Sequence, residues 1–275
     1  MSRTGALELE FRRDARCTYV HRQFATYPFH ICRPHYVTGD PPGLATLYTQ
    51  SLAGGIFEND ALNVAMHCGP GSMVHCTSQA STIIHSMSDG GASHRVEIEI
   101  EDHAFVEYMP DPVILFPDAH FESSVAINIM PFGEAILCDS ILAHDPLERN
   151  GAFSLYRSEL VVSDEGGELL ACDRFTVSGG DFLSELPGIS GSYSVLGSMF
   201  VISRRRRHEI MIDAARAALD GTSGIYGGVS EMPNQCGVFV RLLARNTHSL
   251  RSGMIAVWSS IRRTIFGRAP PPRRK

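Results

Sequence analysis

Histidine, cysteine and carboxylate are the side chains through which this chain could do chemistry, and it carries twelve histidines and seven cysteines. His67-Cys68 and His75-Cys76 flank Gly69-Pro70-Gly71, a pattern that suggests a Cys/His metal site at the tip of a hairpin. A hairpin centred on Pro70 would pair Cys68 with Ser72, His67 with Met73, His75 with Ala65 and Cys76 with Val64, so the four ligands would not converge. A second series, His75, His85, His94 and His103, is spaced ten, nine and nine residues apart. In a coiled β architecture these residues could align on neighbouring strands and hold a metal transiently; the alternative is that they are ordinary half-buried strand residues. Glu97, Glu99 and Glu101 share one side of a strand by their period of two, which points to a solvated face rather than a catalytic acid pair. Gly188-Ile189-Ser190-Gly191-Ser192 and Gly69-Pro70-Gly71-Ser72 are Gly/Ser loops, neither being a GxSxG turn between a strand and a helix.

The basic residues exclude more. Of 24, all but Lys275 at the very end are arginine, so a Schiff base, pyridoxal phosphate attachment or a P-loop lysine has no candidate. Guanidinium stays protonated and cannot replace lysine as a nucleophile. No catalytic residue is assigned. The seven cysteines are odd in number, scattered and without a CxxC pair, which argues against a disulfide framework. The start, Met1 to Phe11, lacks the sections of a secretory signal. No apolar run approaches the roughly 18 residues of a membrane helix. A soluble, cytoplasmic protein is expected.

These residues must be positioned mainly by strands. From Gly5 to about Val201 short alternating segments such as Leu7 to Phe11, Val96 to Ile100 and Val125 to Ile129 are separated by turn chemistry, including Gly39-Asp40-Pro41-Pro42-Gly43 and Asp89-Gly90-Gly91. Consecutive strands over such a length imply a sandwich, a barrel or a β-helix-like solenoid, with no repeat period legible. After Ser203 the pattern turns helical. One helix is expected over Arg204 to Asp220, starting at Ser203 or nearer His208, since cations are unfavourable at a helix N-terminus. A second begins near Thr247, with Leu250, Met254, Trp258, Ile261 and Ile265 on one face and Arg251, Arg262 and Arg263 opposite, and ends at Gly267. Residues 268–275 form a basic, Pro-rich tail expected to be disordered. Charge follows the same division: 10 basic against 26 acidic residues before position 200, and 14 against 4 after it. An acidic protein partner explains the basic part better than nucleic acid, because no nucleic-acid-reading motif accompanies it.

One set of stretches is more specific. Gly54-Gly55-Ile56-Phe57-Glu58-Asn59-Asp60, Gly69-Pro70-Gly71, Thr77-Ser78-Gln79-Ala80-Ser81-Thr82 and Val106-Glu107-Tyr108-Met109-Pro110-Asp111-Pro112 to Ala119 follow one another at intervals that resemble the urease accessory protein family UreD, also called UreH. The similarity extends to Gly5 to Phe11, Arg33-Pro34, Leu47-Tyr48, Arg241-Leu242-Leu243 and Trp258, nearly the whole chain. The family usually has Gly where Asn59 stands, Lys at Ile83 and Pro at Leu115, which marks a divergent member.

The resemblance implies a mainly β, β-helix-like body of many short strands with about two helices in the C-terminal quarter. It implies a single domain over 1–267, with a β-rich body at 1–202 and a helix-containing part at 203–267. It also implies a non-enzyme: a maturation scaffold or chaperone that binds apo-urease and UreF, which recruits the GTPase UreG, so that nickel reaches the urease metallocentre without release to solvent. No tightly bound cofactor is expected, only transient nickel, and neither a membrane nor nucleic acid is a partner. Asp60, in the Gly-Gly motif, and Glu107, in the Glu-Tyr core, are candidates for lining the nickel route, with His75 and His85 as weaker ones; the two carboxylates would otherwise serve as hydrogen-bond acceptors in turns. Arg204, Arg205, Arg206, Arg207, Arg262 and Arg263 are candidates for the UreF surface. The competing readings are a metal-dependent hydrolase using His75, His85 or His103 with a carboxylate, and an adaptor that does not handle nickel.

Overall fold

The computed structural model describes residues 3–272 and shows a mainly β chain coiled into a solenoid of about 4 turns. The strands are β1 (Thr4–Arg13), β2 (Thr18–Ala25), β3 (Phe29–Ile31), β4 (Ala45–Ser51), β5 (Ala61–Cys68), β6 (Met73–Ser78), β7 (Thr82–Ile84), β8 (Ala92–Ile100), β9 (Phe105–Tyr108), β10 (Val113–Leu115), β11 (His120–Ile129), β12 (Glu134–Ala143), β13 (Leu155–Asp164), β14 (Leu169–Ser178), β15 (Val195–Ser203), β16 (Ile225–Glu231) and β17 (Gly237–Ala244). Three helices join them among the described residues: α1 (Gly179–Leu183), α2 (His208–Asp220) and α3 (Thr247–Phe266).

Two sheets face each other. One has the order β14-β13-β11-β8-β5-β1-β2, the other β16-β17-β15-β12-β9-β6-β4-β3, with β7 and β10 pairing beside the end of β12 as a short third face. Each coil runs up the first sheet, turns tightly into the second, as at Gly69–Ser72, and returns by a longer segment. The strands within each run are parallel, so equivalent positions repeat: Ala61 pairs with Ser93, Ala92 with Phe121 and His120 with Leu155. A coil takes about 30 residues, but its return segments differ in length, which hides the period in the sequence.

This topology corrects the hairpin register considered for Pro70. β5 and β6 belong to opposite sheets, so His67 and His75 are not cross-strand neighbours. Cys68 and Cys76 pack in the core between the sheets, and burial raises both thiols, Cys76 to about 12. The four-histidine series does not align either: His75 lies on β6, His94 on β8, His85 just after β7 and His103 in a turn.

Leu7, Leu9 and Phe11 alternate with Glu8 and Glu10, placing β1's apolar side inward, and the same alternation in β5, β8 and β11 fills the coil with Val, Ile and Met. The outer face of the second sheet is covered by α2 and α3, which bury Met211, Ala215, Leu250, Val257, Trp258 and Ile261 against Met199, Val201 and Val240. Each large apolar side chain among them contributes roughly 1.5–3 kcal/mol. α2 starts at His208, with Arg207 as its N-cap, so the arginine run lies ahead of the dipole's positive end. α3 is capped by the Asn246 side chain, which accepts from Ser249 N–H, and ends at Gly267 with φ 70°. Arg262, placed by the sequence pattern opposite the apolar stripe, is instead 0% exposed. Residues 258, 261, 262 and 265 fall at helical spacings of three and four, so its Cα sits on the buried face. Of the tail, Ala269 to Pro271 are half-buried with Pro271 beside Gly39, and 273–275 lie outside the described residues.

Candidate functional site

Parallel register carries a polar row through the core. On the first sheet His94 pairs with Ser123 and Ser123 with Ser158, all facing inward. The rungs on either side are Ala92-Phe121-Tyr156 and Val96-Val125-Leu160, almost wholly apolar. Opposite, the second sheet contributes Ser78, Asp111 and Asp139, and the row continues beyond Asp139 through Ser198 to Arg241. Tyr156 Oη (2.6 Å) and Ser158 Oγ (2.8 Å) both donate to Asp139 Oδ2, tying the sheets together. Arg241 donates to Ser198 Oγ at 3.2 Å and to Asp173 Oδ2 at 2.8 Å while lying over the Phe175 and Phe239 rings.

Between these rows is a cavity of about 340 Å³ that spans the coils from Leu7 and Thr49 to Asp139 and Ser158. At about 30 Å³ per water it has room for some ten molecules. His94 Nε2 is buried with no hydrogen-bond partner among the described residues, and burial lowers the His94 pKa to about 4, keeping the imidazole neutral and able to accept or ligate. Burial raises the Asp139 pKa against the opposing pull of Tyr156 and Ser158. Among the buried polar atoms of this row, His94 Nε2 is the one without a partner among the described residues; an unsatisfied buried polar atom costs about 1–3 kcal/mol, which water in the cavity would offset. No group of three or more His, Cys, Asp or Glu converges on one point among the described residues.

The cavity's mouth collects stretches that are far apart in sequence. Ser51, Gly54, Gln79, Ala80 and Ser81 line it at the surface, and Ile83, Pro110 and Asp111 lie just inside. Gly55 shapes this edge: its φ is +141°, and a Cβ there would come 2.5 Å from the Ile83 carbonyl and 2.8 Å from the His85 ring. Asp60 stands below, 2% exposed. It accepts from Arg3 Nε and Phe57 N–H, each at 2.8 Å, and Arg3 makes a second, shorter contact to its other oxygen. Asp60 and His85 thus meet at one loop, where the His85 Nε2–H donates to the Gly54 carbonyl at 3.0 Å.

Glu107 and His75 come together elsewhere. Strand alternation turns Tyr108 into the cavity and Glu107 to the opposite side of the sheet, under α3. There Glu107, 0% exposed, accepts from His75 Nδ1 (2.7 Å), Trp258 Nε1 (2.7 Å) and Arg262 Nε and Nη2 (2.6 and 2.7 Å). Burial alone would raise its pKa; Arg262 and His75 reverse that and hold it at about 2. Arg262 also reaches Asp40 at 3.3 Å. Of the other arginines, Arg205 and Arg206 both pair with Glu134, which is 3% exposed and also accepts from Ser203 Oγ at 2.9 Å, and Arg204 lies 3.4 Å from Glu165. Arg207 and Arg263 are both exposed.

The family model described as UreD urease accessory protein matches residues 3–275. The chain belongs to that family. Its relatives include Urease accessory protein UreD 1 of Pseudomonas syringae pv. syringae (strain B728a), 36% identical over 94% of this chain and 90% of the relative. The protein of the same name from Methylorubrum extorquens (strain PA1) is 34% identical over 97% and 90%. Urease accessory protein UreD 2 of Streptomyces griseus is 31% identical over 100% and 94%.

One departure of this UreD family member, Asn59, has a local reason, and the other two lie inside the fold. Asn59 adopts φ 63°, the left-handed region that Asn tolerates better than most residues after Gly, so it can stand where the family has Gly. Ile83 lines the cavity and Leu115 is 1% exposed in the core. Of the polar row, the spacing of histidines brings out His94 but gives no sign of Asp139, Ser123, Ser158 or Tyr156. One signal is present in the sequence: Asp139 interrupts the apolar run Ala135-Ile136-Leu137-Cys138, where a carboxylate is costly without a purpose.

Proposed function

We propose that this protein is a non-catalytic scaffold of urease maturation. It binds apo-urease and UreF, the latter bringing UreG, and passes nickel through its coil to the urease active site. The polar row across an otherwise apolar core carries this reading: a path of serine hydroxyls, one neutral imidazole and the two carboxylates of Asp111 and Asp139 suits a hydrated divalent ion that must keep moving. Membership in a family of urease accessory proteins supports urease as the destination; nickel as the cargo is part of the proposal. In this reading Asp139 and His94 are the groups nickel meets. Asp60 holds the mouth loop through Arg3, and Glu107 with His75 anchors α3. The UreF surface is the basic helical part, presented by Arg204, Arg207 and Arg263, while Arg205, Arg206 and Arg262 brace it from within. The protein works in the cytoplasm, where urease is assembled.

The test is co-expression of the cognate urease with the wild-type chain or with Ser123→Leu, which places an apolar side chain midway between His94 and Ser158. Nickel per urease, measured by mass spectrometry, should fall several-fold while the accessory complex still co-purifies. Undiminished nickel with Ser123→Leu would favour an adaptor that handles no metal, and fully loaded urease with the chain deleted would remove the maturation role.

A further inference from the structure

A ladder of rings crosses the outside of the coil beside the cavity mouth. Ile56, Ile84, Leu115 and Ala143 occupy one register on successive turns. The residues that follow them, Phe57, His85, Phe116 and His144, are thereby carried into line. Phe57 and His85 stack with centroids 4.1 Å apart, His85 meets Phe116 edge-on at 5.5 Å, and Phe116 meets His144 at 5.8 Å. The Arg3 guanidinium caps the first ring, 4.8 Å from the Phe57 centroid, and also lies 5.9 Å from Tyr27. Aromatic pairs of this kind are mutually stabilising, but burying the rings fully would contribute more. Instead the two ends of the ladder stay at the surface, Phe57 at 42% exposed and His144 exposed, while His85 and Phe116 between them are half-buried; nearby Tyr27 and Leu52 are 55% and 62% exposed. A contiguous, part-exposed aromatic strip is the composition of an interface centre, where aromatic residues and Arg are enriched.

We propose that this ladder is the docking strip for apo-urease, an inference that rests on the reading given under Proposed function. Two observations select that occupant. The first is continuity with the cavity: Gly54 lines the mouth and its carbonyl accepts from His85, so whatever covers the ladder also covers the opening. A conduit that delivers an ion without release to solvent must be sealed where it meets the receiver. The second is the division of charge. The ladder lies on the acidic β body, before residue 200, and not on the basic helices that pack on the second sheet and are assigned to UreF. The partner face it fits is apolar at its centre, with carbonyl or carboxylate acceptors at the height of His144, over the roughly 800 Å² per partner of a standard complex.

The test uses the full chain co-purified with UreF and passed over immobilised apo-urease. Leu52→Asp and His144→Asp change side chains outside the core, and Phe57→Asp changes the ladder itself. The double variant Leu52→Asp/His144→Asp should retain urease about tenfold more weakly, with UreF binding unchanged and the thermal midpoint lowered only slightly, by loss of the Phe116–His144 contact; Phe57→Asp should do the same. Wild-type and double-variant proteins that retain urease equally overturn the inference and leave the maturation reading standing. The inference also falls if the variant loses UreF instead, or if wild type self-associates through this strip by gel filtration and the variant does not. Wild type that retains no urease overturns both.

Discussion

Replacing Arg262 with Met isolates the ion cluster that pins α3 to the coil. In the wild type, Glu107 receives four hydrogen bonds, two of them from Arg262, in a site with no solvent contact. Removing the guanidinium leaves a buried carboxylate facing only His75 and Trp258, a change that costs about 3–5 kcal/mol. The pH dependence gives the sharper check. Glu107 has a folded pKa of about 2 against an ordinary 4.5, so its stabilising contribution, about 3 kcal/mol, is complete above pH 4.5 and is lost as pH falls through 2. In Arg262→Met, burial is no longer outweighed and the folded pKa should rise above 4.5. The sign then reverses: the variant gains stability relative to its own neutral-pH value as the solution is acidified. Urea unfolding at pH 7.5 and pH 4 should therefore show a gap between the two proteins that narrows at pH 4. Glu107→Gln/Arg262→Met should recover about half of the loss at pH 7.5, since Gln removes the stranded charge yet still accepts from Trp258. A loss below about 1 kcal/mol, or a gap unaltered by pH, would refute the role given to this cluster.

Two further outcomes are expected. Gly55→Ala places a Cβ against the Ile83 carbonyl and the His85 ring at a φ that L-residues rarely adopt, and should cost about 1–3 kcal/mol by thermal unfolding; a neutral effect would mean that the mouth loop is not held as described. Arg205→Glu/Arg206→Glu should lower the unfolding midpoint as well as any UreF binding, because both guanidiniums neutralise the buried Glu134, whereas Arg207→Glu/Arg263→Glu should weaken UreF binding alone in co-purification at low salt.

Local residue choice by itself determined that this protein is built mainly of strands with two amphipathic helices near its C-terminus; that β16 and β17, lying between those helices, extend the second sheet was decided by tertiary structure. Alternation such as Leu7-Glu8-Leu9-Glu10-Phe11 can bury one side of a strand only, and the apolar stripe from Leu250 to Ile265 can bury one face of a helix only. The motif stretches around Gly54, Gln79 and Glu107 were likewise sufficient to bring out the family. What they do together was decided by tertiary structure. Gly54, Gln79 and Asp111 share a cavity mouth because each coil returns the chain to the same edge, and return segments of unequal length remove any fixed spacing from the sequence. Glu107 and Asp139 show the same limit from the other side. Both are carboxylates in β strands of the second sheet, yet one points outward into a saturated ion cluster and the other inward to a cavity. The direction in which each faces follows from register within the sheet, and its ionisation from neighbours about 150 and 20 residues away along the chain, Arg262 and Tyr156. Burial and charge are properties of the assembled coil, and a linear sequence does not state which distant groups will supply them.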